Sequence, residues 1–87
     1  MTGSYSVVLK RSAERELRSI PQRDLRRLVE RIRRLAHEPR PPGGEKLSGH
    51  DRYRVRQGDY RVVYAVDDEQ RIVEVVKIGH RREVYRD

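Results

Sequence analysis

The sequence has no cysteine, so neither a disulfide framework nor a thiolate zinc site is available to staple the chain. Its histidines, His37, His50 and His80, are scattered, which gives a structural metal no ligand set. No run approaches the roughly 18 apolar residues of a membrane span. The opening "MTGSYSVVLK" lacks the apolar stretch of a signal peptide. The chain therefore reads as soluble and cytoplasmic, with no membrane partner, no cofactor and no metal. Lysine is scarce as well: of 21 basic residues, 18 are arginine.

What is present is positive charge. Charged residues make up 40% of the 87-residue chain against 34% hydrophobic ones, and the net charge is +7. The isoelectric point near 10.4 points to a polyanionic partner, above all a nucleic acid. Arginine is the telling choice, because its planar fork grips phosphate through two donors and stacks on bases, where lysine offers a point charge. A length of 87 residues is one domain (1–87), near the lower limit for burying its own core, so the apolar residues must be concentrated.

They are. "YSVVLK" (5–10) is a short strand. In "RSAERELRSI" (11–20), Ala13, Leu17 and Ile20 form one helical stripe, which Pro21 ends. "QRDLRRLVERIRRLAHE" (22–38) places Leu25, Leu28, Val29, Ile32, Leu35 and Ala36 along one face of a longer helix. "PRPPGG" (39–44) is a loop. Beyond it the period falls from 3.6 to 2. "RYRVRQ" (52–57), "YRVVYAV" (60–66) and "RIVEVVKI" (71–78) read as three strands joined by short turns at Gly58-Asp59 and Asp67–Gln70. The expected fold is α+β, in the order β-α-α-β-β-β, with an antiparallel sheet, both helices on one face, and a short C-terminal segment.

A two-residue loop at Gly58-Asp59 pairs Gln57 with Tyr60, Arg56 with Arg61 and Arg54 with Val63. Opposed residues share a face. Arg54, Arg56 and Arg61 then stand together, while Tyr53, Val55, Tyr60, Val62 and Tyr64 face the helices. Opposing Arg56 to Arg61 sets like charges side by side, which a fold tolerates when an anion sits between them. The end of the last strand is expected to bring His80, Arg81 and Arg82 toward the same face. That patch then offers arginine, histidine and Tyr85, with few carboxylates and no lysine. Two-metal hydrolysis wants clustered Asp and Glu. Cleavage of RNA through its own 2′-OH asks only for cations around the phosphorane and a proton donor for the 5′-oxygen.

"KLSG…YRVRQGDYRVVYAVDD" followed by "VEVVKIGHRREVYR" closely resembles the RelE/ParE superfamily of toxins from bacterial and archaeal toxin–antitoxin modules, most of all its RelE branch. The likeness runs over essentially the whole chain. It implies an mRNA interferase that cleaves messenger RNA at the ribosome without metal, leaving a 2′,3′-cyclic phosphate and a 5′-hydroxyl, and a cognate antitoxin that masks the toxin. Carried over residue by residue, the resemblance assigns catalysis to Arg54, Arg56, Arg61, Arg81 and Tyr85, with His80 as a candidate acid or base. The sequence departs from the best-known members in carrying arginines where they have lysines on the strand at 52–57. Arginines hold charge but do not readily exchange a proton. Two other readings remain: a ParE-like toxin directed at DNA gyrase without nuclease chemistry, and an inactive RNA- or ribosome-binding member. His50 lies farther from the patch. His37, at the end of the long helix, is a favourable cation position beside the helix C-terminus.

Overall fold

The structure, a computed structural model, describes residues 4–47 and 51–80. Arg81, Arg82, Tyr85 and His50, four residues singled out by the sequence, lie outside the described residues, as does the short C-terminal segment.

The element order is β1 (Ser6–Leu9), α1 (Arg11–Arg18), α2 (Gln22–Arg34), β2 (Glu45–Leu47), β3 (Arg52–Gln57), β4 (Tyr60–Asp67) and β5 (Ile72–His80). The strands form one sheet in the order β1-β5-β4-β3-β2. The three strands read from the period of 2 are antiparallel neighbours, as their short connections require. Two features were not legible. The opening strand β1 pairs with β5 in parallel, so the sheet is mixed rather than wholly antiparallel. A short strand, Glu45–Leu47, adds itself to the outer edge of β3. Three residues that follow a Pro/Gly loop carry no periodicity from which a strand can be read.

The helices cover one face. Ala13 of α1, then Leu28 and Ile32 of α2 with Leu35 beyond it, meet Val55, Val62, Tyr64, Val66, Val73, Val75 and Ile78 of the sheet in one buried cluster. Tyr53 and Tyr60 pack against that cluster, on the parity read from the sequence. Full burial of such a side chain contributes about 1.5–3 kcal/mol, which is why the few apolar residues suffice only if gathered on one face.

Where β1 ends at Leu9, opposite Val75, β5 continues with no strand beside it on that edge among the described residues. Glu16 of α1 covers the exposed backbone there, its Oε1 accepting the N–H of Ile78 at 2.9 Å. The Pro/Gly loop is tied down from the opposite end of the sheet. The Tyr64 hydroxyl donates to the Pro39 carbonyl at 2.6 Å. Arg40 donates to the Tyr53 hydroxyl and makes a two-pronged ion pair with Asp68, whose Oδ1 also accepts from Tyr5. The hydrogen bonds from Arg40 and Tyr5 hold the Asp68 carboxyl below its ordinary range.

Candidate nucleic-acid interface

The β3–β4 hairpin fixes the site. Gly58, first in the two-residue loop, has φ +61°, a conformation that costs glycine nothing and other residues strain. The register is the one the loop length dictates: Gln57 opposite Tyr60, Arg56 opposite Arg61, Val55 opposite Val62, Arg54 opposite Val63. Because Val55, Val62 and Tyr64 point into the helix-covered core, Arg54, Arg56 and Arg61 point away from it, onto the face of the sheet that carries no helix among the described residues.

Two residues that the sequence reading left out join them. Glu45 of β2 lies opposite Arg54, and its Oε1 accepts from both Nη2 (2.5 Å) and Nε (3.2 Å) of that guanidinium. The Arg54 guanidinium, with Arg61 and Arg56 beyond it, holds the Glu45 carboxyl below its ordinary range. An internal carboxylate thus pairs with Arg54, on the outer-strand side of the Arg56–Arg61 pair. The second residue is Lys77. It lies opposite Val63 in the β4–β5 ladder, so a single row across the sheet reads Glu45, Arg54, Val63, Lys77. The next row reads Arg56, Arg61, Gly79.

Lys77 reaches this face through an irregularity. The ladder pairs Tyr64 with Val75 but Val63 with Lys77, so Val76 is an extra residue, a β-bulge. Strict alternation from Val73 and Val75 sends Lys77 inward toward the helices. The bulge reverses the parity, turning Lys77 outward and Ile78, fully buried, inward. The expected patch without lysine is therefore corrected to one that contains it.

The same reversal moves His80 the other way. It pairs with Tyr60 and stands on the helix side, its ring edge-on to that tyrosine with centroids 5.8 Å apart. There it lines a cavity of about 220 Å³ together with Glu16, Ser19 and Tyr60. The expected approach of His80 to the arginine face is not what this register gives.

Val63 reports how the long side chains lie. It is only 2% exposed, although it sits on the face without helices and outside the core cluster. Its direct cross-strand partners are Arg54, whose side chain is 20% exposed, and the half-buried Lys77. Long cationic side chains lay their aliphatic stems over such a residue and keep their charged ends in water. The result is a band of positive charge laid across the sheet, with donors for phosphate oxygens, bordered by Glu45 on one side and by the row of Arg52 and Glu74 below it.

Among the described residues no helix is long and apolar enough to cross a membrane. A family profile for the ParE toxin of the type II toxin–antitoxin system, parDE, matches residues 7–85. The toxin RelG of Mycobacterium tuberculosis is 34% identical over 86 residues, covering 94% of this chain and 97% of RelG. Among solved structures, the toxin–antitoxin complex RelBE2 of M. tuberculosis contains a chain that superposes with a TM-score of 0.81 at 31% identity, covering 93% of this chain and 95% of that one. The archaeal RelE–RelB complex of Pyrococcus horikoshii gives 0.77 at 31% identity, covering 90% and 96%. With its helices on one face and its arginines on the other, the chain belongs to the RelE/ParE superfamily of type II toxin–antitoxin toxins, on the RelE-like branch.

Proposed function

We propose that this toxin is an endoribonuclease that cleaves messenger RNA on the ribosome, with no metal needed, by attack of a 2′-OH on the adjoining phosphate. The observation that carries the reading is the register that opposes Arg56 to Arg61 with Arg54 alongside, on the face free of helices. Like charges so placed are stabilised by an anion between them, and a phosphodiester passing through a dianionic phosphorane gains more from them than its ground state does. In this reading Arg54, Arg56 and Arg61 bind the scissile phosphate and stabilise the phosphorane. Arg81 supplies a further cation, and Tyr85 orients the 2′-OH or stacks on a base; both roles rest on the resemblance. The products are a 2′,3′-cyclic phosphate and a 5′-hydroxyl.

The toxin acts in the cytoplasm and is held in check by a cognate antitoxin. The M. tuberculosis and P. horikoshii relatives, each solved as a toxin–antitoxin complex, support that partner. Primer extension on translated mRNA with purified protein tests the reading. Discrete cleavage by wild type, reduced about 100-fold or more by Arg61→Ala, is expected from loss of a charge that acts in the transition state. No cleavage by wild type, or undiminished cleavage by the variant, overturns it. Because the matching profile is that of the ParE toxin, a supercoiling assay with DNA gyrase accompanies the test. Gyrase inhibition without RNA cleavage assigns the chain to the non-nuclease reading.

A further inference from the structure

A cluster of arginines leaves one chemical need unmet. As the P–O5′ bond breaks, the leaving oxygen must take a proton, and a guanidinium holds its protons too tightly to supply one. A lysine ammonium carries a proton at neutral pH and releases it more readily than arginine does. Lys10 and Lys46, the other two lysines of the chain, do not share this face. Lys10 lies between β1 and α1, and Lys46 pairs with Tyr53, on the helix-side parity.

Lys77 does share it. It is in line with Arg54 across Val63, two strand spacings or about 10 Å between Cα atoms. It is also the diagonal neighbour of Arg61, whose direct partner is Gly79, at about 7–8 Å. Gly79 brings no side chain of its own to the position beside Arg61 on β5. A Lys77 stem laid over Val63 toward Arg54 accounts for part of that residue's burial. A phosphate held by Arg54 and Arg61 is therefore within reach of the Lys77 ammonium.

We propose that Lys77 is the general acid of this site, a role that rests on the nuclease reading above. The 2′-oxygen attacks phosphorus and forms the O2′–P bond while its proton passes to water. The P–O5′ bond breaks, its electron pair staying on O5′, and the Nζ ammonium of Lys77 delivers one proton to that oxygen. The neutral amine then regains a proton from solvent. Arg54, Arg56 and Arg61 carry the phosphorane's charge throughout and exchange no proton.

A substrate whose leaving atom needs no proton tests the step. Synthetic mRNAs with either the natural 5′-oxygen or a 5′-bridging sulfur at the cleaved linkage are placed in translation complexes. Single-turnover cleavage is then followed with wild type, Lys77→Met and Lys77→Arg. Both variants are expected to cut the all-oxygen RNA about 100-fold or more slowly, the usual scale of general acid catalysis. On the sulfur-containing RNA, where thiolate departs unprotonated, both should come within about 10-fold of wild type, because the step that uses the acid is gone. Each variant is compared with itself on two substrates, so a partial folding defect cancels. Lys77→Arg cutting the all-oxygen RNA at wild-type speed, or equal losses on both RNAs, overturns the assignment while leaving the nuclease reading intact. A wild-type protein that cuts neither RNA overturns both.

Discussion

Lys77 faces Val63 across the β4–β5 ladder only because Val76 has been inserted as an extra residue between Val75 and Lys77. This single bulge exchanges the two faces for the rest of β5. It delivers a lysine to the cationic side, Ile78 to the core and His80 to the ring of Tyr60. Bulges next to functional faces commonly re-aim a side chain in this way.

Deleting Val76 should therefore be far worse than truncating it. The deletion restores strict alternation, turning Lys77 toward the core and Ile78 out of it. Loss of a fully buried isoleucine alone costs about 2–5 kcal/mol, and an inward lysine adds to that. A domain this small has little stability to lose. Val76→Ala keeps the register and should lower the midpoint of urea unfolding only slightly. Equal midpoints for the deletion and the wild type would show that the bulge does not set the parity.

Glu45 makes the second prediction. Its carboxylate accepts both hydrogen bonds from the Arg54 guanidinium, so on the nuclease reading it competes with a phosphate for that group. Glu45→Gln removes that negative charge while keeping the side chain's size. The variant should bind single-stranded RNA more tightly, with the salt dependence of log Kobs steepened by up to about 0.7, the contribution of one additional phosphate contact. Filter binding across a salt series measures both. Weaker binding would mean that Glu45 positions Arg54 rather than competing for it.

The hairpin was legible in full because its register follows from loop length and its faces from alternation. Arg56 against Arg61 can be counted off from Gly58-Asp59, and the core parity of Tyr53, Val55, Tyr60, Val62 and Tyr64 comes with it. The helical stripes were equally readable, since Ala13, Ile20, Leu28, Ile32 and Leu35 are buried where the 3.6 period puts them. Lys77 and Glu45 escaped for different reasons. Nothing in "VEVVKIGH" marks which valine is the extra one, so a parity count runs through the bulge and inverts every residue after it. Glu45 belongs to a three-residue strand that exists only through its pairing with β3. The parallel docking of β1 beside β5 is a long-range choice that no local pattern encodes.

Tyr64 supplies a prediction at alkaline pH. Burial pushes its hydroxyl up to about 12 from the ordinary 10, and that hydroxyl donates to the Pro39 carbonyl. A group whose folded pKa is raised gives stability that is fully present below its unfolded value. Here that stability is intact below about pH 10 and is lost as the pH rises through about 12. Tyr64→Phe should lower stability at neutral pH by about 1 kcal/mol, the usual net value of one hydrogen bond. It should also flatten the decline between pH 10 and 12, and thermal unfolding of both proteins across that range reads out each effect. A variant with an unchanged alkaline slope would show that another group governs it.

Arg56 and Arg61 separate stability from function. Like charges placed side by side are unfavourable between themselves, and the hydrogen bonds of Glu45 go to Arg54 rather than to either of them. Arg56→Gln removes the repulsion and keeps a strand residue able to hydrogen-bond. It should raise the free energy of unfolding by a few tenths to about 1 kcal/mol, on the scale of cross-strand pairs. On the nuclease reading the same change deletes a cation that stabilises the phosphorane, so RNA cleavage should fall about 10-fold or more, with weaker RNA binding and a shallower salt dependence. Urea unfolding and single-turnover cleavage on the same preparation decide the matter. A variant that is both less stable and less active has merely lost structure. One that gains stability as it loses activity shows that the repulsion is retained for the sake of the anion it binds.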